Sequence, residues 1–147
     1  MKDLTVKRKG ILTEETMKLW FLKKGYSVSV PIGDDDRYDF IVDFDGKLIK
    51  MQCKTGNLTR NEGCLNFATA SIKYNSSGSH RTKYNKNDID YFCTMHPETE
   101  QVYIVPVEEC GNEFNLRLIS PKNNITKICH MAIDYEGEKM IERIINS

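Results

Sequence analysis

Asp45-Gly46, set between two alternating runs that span residues 39–44 and 47–54, constrains the fold of this chain more than any other feature. The pair predicts a two-residue hairpin loop, because both central residues of a type I′ turn take positive φ. In that register Phe44 faces Lys47, opposed residue numbers sum to 91, and Asp39 falls opposite Gln52. Opposed residues in an antiparallel pair lie roughly 4.5 to 5.5 Å apart at Cα and project to one face. Phe40, Val42, Phe44, Ile49, Met51 and Cys53 make the apolar face expected to meet the core, which leaves Asp39, Gln52 and Lys54 together on the other.

A carboxylate, an amide oxygen and an ammonium around one point suit a hard divalent cation and its water. Asp39 would bind Mg²⁺ directly, with Mn²⁺ as a substitute, and the Gln52 side-chain oxygen and the Cys53 main-chain carbonyl would fill further positions. Lys54 would orient the attacking water or help to deprotonate it. That is the chemistry of phosphodiester hydrolysis. A solvent-facing strand pair with simple polar alternation would show the same spacing.

The rest of the chain reads as α+β. Residues from about Thr13 to Lys24 form an expected helix with Met17, Trp20 or Phe21, and Leu22 as its apolar stripe and Gly25 as its stop. Thr13 is the expected N-cap, which would put Glu14 and Glu15 in a first turn where acids meet the helix dipole favourably. A short strand at 26–31 closes on Pro31, and 64–74, 89–95, 101–107 and 115–119 are strand-like. Tyr74 to Ser79 is a loop by composition, and Gly137 to Ile145 is helical through Met140, Ile141 and Ile144. The expected architecture is an N-terminal helix, a mixed and mostly antiparallel sheet, and a C-terminal helix.

At 147 residues the chain is sized for one domain, with no linker, repeat or apolar run long enough to span a membrane. Its polar N-terminus does not read as a signal peptide, and a cytoplasmic location is expected. Five cysteines, none in a Cys-x-x-Cys pair, give neither a disulfide framework nor a zinc ribbon, and His80, His96 and His130 lack metal-ligand spacing. The net charge is zero, but it is blocked: six aspartates and one arginine over 34–45, eight Lys/Arg and one acid over 46–87, seven acids and no Lys/Arg over 88–113. The basic block could serve a phosphate backbone, or could be solvated faces on different strands.

These residues resemble the PD-(D/E)xK nuclease superfamily, in which an acid on one strand is followed by acid-x-Lys on the next. Here they are Asp39 in Arg37-Tyr-Asp-Phe40, and Gln52-Cys-Lys54. A longer likeness, to the branch of group I intron-encoded homing endonucleases and related bacterial proteins, covers most of the chain. It runs through Lys9-Gly10 with Glu14, Lys24-Gly-Tyr-Ser-Val28 leading to Pro31, and Gln52-Cys-Lys-Thr-Gly56. It continues through Tyr84, Ile89-Asp-Tyr-Phe92 and Val102 to Val107.

The resemblance implies a restriction-endonuclease-like fold and an active site of Glu14, Asp39, Gln52 and Lys54, with Glu15 beside Glu14 as the other helical acid. Tyr38 stands where the family name has proline. Gln52 replaces the second carboxylate, a change that the homing branch also shows, and removes one negative charge from the metal site. The superfamily core has a helix crossing between its third and fourth strands, whereas residues 57–88 read as a strand and a polar loop with at most a helical turn near Tyr84 to Asn87.

The implied substrate is double-stranded DNA. Arg60, Lys73, Arg81 and Lys83 are the candidate contacts, with Arg81 foremost, and Ser76 to Lys83 is expected to order on phosphate or reach a groove. One active site per chain implies a homodimer or homotetramer for duplex cleavage, with Tyr103 to Val107 and Met140 to Ile145 as candidate interface segments. A junction resolvase, a repair nuclease or a non-cleaving DNA-binding module would use the same fold.

Overall fold

The computed structural model describes residues 4–119 and 130–147. Cys129 lies outside them, and the cysteines at 53, 64, 93 and 110 are free thiols.

Helix α1 spans Val6–Lys23 and begins seven residues before the expected start, with Thr5 as N-cap accepting the Arg8 N–H at 3.2 Å. Thr13 is therefore not a cap. It is buried within the helix, and its hydroxyl donates back to the Lys9 carbonyl at 2.8 Å. Glu14 and Glu15 sit mid-helix, and the first turn holds no acid, so the helix dipole does not account for either. Thr13, Met17 and Phe21, four residues apart, form the buried stripe, while Leu22 is 49% exposed. The helix stops in a Schellman motif: Tyr26 N–H bonds to Phe21 O at 3.2 Å and Gly25 N–H to Leu22 O at 2.9 Å, with Gly25 at φ 92°.

Strands β1 (Ser27–Ser29), β2 (Phe40–Phe44) and β3 (Lys47–Cys53) follow, and β2 pairs with β3 from Phe44↔Lys47 to Phe40↔Met51, the expected register. Asp45 and Gly46 take φ of 54° and 101° in the turn. β8 (Tyr91–Met95) lies parallel to β3, β9 (Val102–Pro106) returns antiparallel, and the sheet order is β1-β2-β3-β8-β9.

Parallel neighbours need a crossover connection. Between β3 and β8 it is made by strands instead of a helix: β4 (Asn57–Leu58), β5 (Cys64–Ala68), β6 (Ala70–Asn75) and β7 (Gly78–Lys83). One turn at Lys86 to Asp88 follows, where Ile89 N–H reaches back to Asn85 O at 3.1 Å. The expected loop at Tyr74 to Ser79 contains instead the tight turn of a β6–β7 ribbon, in which the Asn75 side chain accepts the Ser77 N–H at 2.9 Å and Gly78 takes φ 116°.

β10 (Glu113–Arg117) joins β5 and β4 in a second sheet that covers one face of the first, with the Phe67 ring 6.0 Å from Phe92 and 5.8 Å from Phe114. α1 covers the opposite face, Phe21 packing 5.9 Å from Phe40 and 6.0 Å from Phe44. Helix α2 (Gly137–Ile145) packs along β9. The two segments proposed as interfaces are core: every residue of β9 is buried, as are Met140, Ile141 and Ile144. Ile145 at the end of α2 is exposed, and four other exposed apolar residues (Ile11, Leu12, Leu19 and Leu22) lie on the outer side of α1. Among the described residues no helix is long and apolar enough to cross a membrane.

Candidate active site

Asp39 lies one residue before β2, where the hairpin ladder ends. Its N–H donates to Met51 O at 2.8 Å, and its carboxylate accepts the Cys53 N–H at 2.7 Å. The expected Asp39–Gln52 opposition thus lies one step beyond the last backbone rung, Phe40↔Met51, and a side chain closes that step. Because Cys53 separates Gln52 from Lys54, the carboxylate is pinned to the middle of the Gln-Cys-Lys triplet.

Asp39 also lines a cleft of about 350 Å³ with Glu14 and Lys18 of α1, Val30, Pro31, Gly33, Asp34, Asp36 and Tyr38. Burial pushes its carboxyl up to about 6; the Cys53 N–H, Lys54 and Lys18 pull against this, and Glu14 adds to it. Of the two helical acids, only Glu14 is in the cleft: Glu15 is more than half exposed and pairs with Lys18 at 2.6 Å. Gln52 and Lys54 do not line it. They approach Asp39 from the β3 side. Lys18 is outside the motif residues, and its spacing of four from Glu14, which puts both on one helix face, is the signal in the sequence that points to it.

Gln52 sits beside Phe92 in the parallel β3–β8 pairing, and its Oε1 is buried without a hydrogen-bond partner among the described residues. Such an orphan costs about 1 to 3 kcal/mol, so a ligand that satisfies it is favoured. A carboxylate, an amide oxygen and a main-chain carbonyl form an all-oxygen set that fits a hard divalent cation. Among the described residues no group of three or more His, Cys, Asp and Glu gathers in a metal-binding arrangement.

Lys54 is anchored by its main chain, N–H to Cys93 O at 2.9 Å, and its Nζ lies 5.0 Å over the Tyr84 ring. Among the described residues no carboxylate forms an ion pair with it.

Of the candidate DNA contacts, Lys73, Arg81 and Lys83 fall on the β6–β7 ribbon, where Lys73 pairs with His80, Ile72 with Arg81 and Ala70 with Lys83. The Arg81 and Lys83 side chains are exposed; the Lys73 side chain lies outside what the structure describes. Arg60 is exposed on a separate turn between β4 and β5. Arg37, two residues before Asp39, belongs in sequence to the Arg-Tyr-Asp motif alone. In the fold it stacks 3.9 Å over the same Tyr84 ring and pairs with Asp88 at 2.7 Å.

No curated protein sequence matches the chain significantly. Among solved structures, a bacterial homing endonuclease, I-Ssp6803I, superposes with a TM-score of 0.79 at 24% identity, over 97% of this chain and 95% of that one, a likeness of fold. The sequence pattern of the PD-(D/E)XK endonucleases matches residues 4–137. With its motif acid pinned to a Gln-x-Lys strand inside that match, the chain belongs to the PD-(D/E)XK endonuclease family.

Proposed function

We propose that residues 1–147 act as one Mg²⁺-dependent endonuclease unit that hydrolyses phosphodiester bonds of double-stranded DNA at a specific sequence, as an intron-homing enzyme does. The observation that carries this reading is the Asp39 carboxylate held on the Cys53 N–H beside the orphaned Gln52 Oε1. Asp39, Gln52 Oε1 and the Cys53 carbonyl would hold Mg²⁺, or Mn²⁺ in its place, which when bound supplies positive charge at the scissile phosphate and lowers the pKa of a bound water.

The chain's own residues then have separable tasks. Asp39, buried and biased toward protonation, becomes a competent anion when a cation sits against it. Glu14 faces it across the cleft from α1 and offers a second carboxylate to offset the one that Gln52 lacks. The Lys54 ammonium orients the attacking water and, through its charge, favours loss of that water's proton to solvent, which returns a proton to the departing ester oxygen. The water oxygen forms the new P–O bond as the ester oxygen departs and is protonated. Arg81, Lys83, Lys73 and Arg60 would meet the phosphate backbone.

One site cuts one strand, so a duplex cut takes two copies, as a homodimer or homotetramer. The outward Ile11, Leu12, Leu19 and Leu22 of α1 are the surface we assign to the second copy, since they share one helix face and the segments Tyr103 to Val107 and Met140 to Ile144 are largely buried. Free thiols agree with a cytoplasmic enzyme.

The test is cleavage of a plasmid library with random inserts in Mg²⁺, comparing wild type with Asp39→Ala and Lys54→Ala. Cutting by wild type at recurrent sequences, lost in both variants, supports the homing reading. Cutting of branched DNA alone would favour a junction resolvase or repair nuclease, and binding without cutting a DNA-binding module. Equal activity in the variants would remove the site assignment.

A further inference from the structure

We infer that Arg37 is a positioning residue that locks the β6–β7 ribbon and the segment leading to Asp39 into one rigid body, so that DNA held by the ribbon meets the catalytic carboxylate in fixed geometry. The inference rests on the endonuclease reading above and deepens it.

The ribbon has six paired rungs but belongs to neither larger sheet. All of β7 except Thr82 is exposed, and so are Ile72 and Tyr74 of β6. An isolated two-stranded hairpin is at best marginally stable in water, so an anchor at its base decides where it points. Arg37 supplies that anchor. Its Nη2 donates to Ser71 Oγ on β6 at 3.1 Å and to Thr82 O on β7 at 3.3 Å. Its Nη1 donates to Lys83 O at 3.0 Å and to Asp88 Oδ2 at 2.7 Å.

Asp88 is itself fixed, since the same Oδ2 accepts the Asn85 N–H at 3.1 Å. The guanidinium also lies on Tyr84, whose ring stands edge-on to the core Phe92 at 5.3 Å and carries the Lys54 ammonium near it. One side chain therefore ties both ribbon strands, the turn before β8 and the aromatic platform under Lys54 to a point two residues from Asp39. Only a planar fork of several donors makes these contacts together; a lysine at the same place keeps the charge and loses the fork.

This arrangement matters for the reaction because phosphodiester cleavage depends on alignment. A misplacement of about 1 Å away from the chemistry can cost about 100-fold in rate. Arg37 touches neither the cleft nor the proposed cation ligands, so its effect runs through the ribbon and Tyr84.

The experiment uses the full chain with Arg37→Lys, chosen because a lysine can still pair with Asp88 and keep the fold, and Ser71→Ala, which removes the acceptor for Arg37 Nη2 on β6 together with the Ser71 Oγ–Thr82 O bond across the ribbon. Three quantities are measured: amide hydrogen exchange without DNA, duplex affinity in Ca²⁺, and the single-turnover cleavage rate in Mg²⁺ at saturating protein. Expected for Arg37→Lys is exchange at least about tenfold faster in β6 and β7 with α1 and β8 unchanged, and a saturated rate down by about 100-fold. Ser71→Ala should move both the same way by less. A merely structural Arg37 would lower the melting temperature and leave the saturated rate at the wild-type value, and that result overturns the inference. So does unchanged exchange in the ribbon. A wild type that cuts no DNA overturns the endonuclease reading and this coupling together, whereas a cutting wild type matched by Arg37→Lys overturns the coupling alone.

Discussion

The carboxylate of Asp39 takes the main-chain N–H of Cys53 at 2.7 Å, one step past the last backbone rung of the β2–β3 hairpin. A side chain thereby does the work of a strand carbonyl, and a buried acid becomes part of the ladder that presents Gln52 and Lys54. The same contact opposes burial, since an N–H donor favours the anion while desolvation favours the acid, and desolvation wins. The site is thus held in shape at a free-energy cost that a bound cation would relieve.

That cost has a pH signature. Asp39 is raised from 3.8 to about 6, so the folded chain binds the extra proton between those values and stability falls as pH rises through that window. At about 1.4 kcal/mol per unit, the loss by neutral pH is on the order of 3 kcal/mol. Asp39→Asn, which can still accept the Cys53 N–H, should match wild type near pH 4 and exceed it by about 6 to 12 °C in melting temperature at pH 7.5 in chelator, while abolishing cleavage. Differential scanning calorimetry across that pH range checks it; a variant less stable at pH 7.5 would refute it.

Gln52 carries a second test. Gln52→Leu removes the orphaned buried oxygen and should stabilise the metal-free chain by about 1 kcal/mol, while losing the thermal shift that Mg²⁺ gives wild type. Gln52→Glu adds a buried charge near Asp39, so it should melt lower in chelator and gain more from Mg²⁺. Thermal-shift titrations with Mg²⁺ separate the two. If Gln52 works as a ligand, cleavage should not rise in the glutamate variant; a clear gain would mark the glutamine as a lost carboxylate.

How much of this could be read in advance varies with the range of the forces involved. The β2–β3 register is legible because Asp45-Gly46 admits one turn type and the alternation admits one buried face. The start of α1 is not, since Val6 to Gly10 offers no apolar period and the cap at Thr5 precedes a basic run. Most of β6 falls in the strand-like run 64–74, but β7, and so the ribbon, is hidden because a strand exposed on both faces shows no hydrophobic contrast. Glu14, Asp39, Gln52 and Lys54 were named from a motif, but the division between the cleft and the β3 side was not. The contacts of Arg37 span 34 to 51 residues of chain, a separation that no local pattern encodes.

Gly56, two residues after Lys54, tests how closely the end of β3 is packed. A Cβ there would come within 2.8 Å of Leu65 Cδ1 and 2.9 Å of both Met95 O and Thr94 Oγ1. The main-chain carbonyl cannot yield as a side-chain tip can, so Gly56→Ala should cost about 1 to 3 kcal/mol. Urea denaturation should show the midpoint moving down with an unchanged slope. Gly111→Ala, where nothing lies within 4 Å of the added carbon, is the control and should be near neutral.

The ribbon charges give the last prediction, which separates a DNA contact from an ordinary surface arginine. Arg81 is exposed and makes no ion pair among the described residues, so Arg81→Ala should change stability by less than about 0.5 kcal/mol. If its guanidinium displaces one counterion from the duplex, the slope of log affinity against log salt should become shallower by about 0.9. Lys83→Ala should act alike, and Arg60→Ala tests whether the separate β4–β5 turn reaches the backbone too. Titrations in Ca²⁺ at several salt concentrations measure the slopes. A weakening of specific-site binding with the slope unchanged would assign Arg81 to base edges instead of phosphates, and affinity equal to wild type at every salt would remove it from the interface.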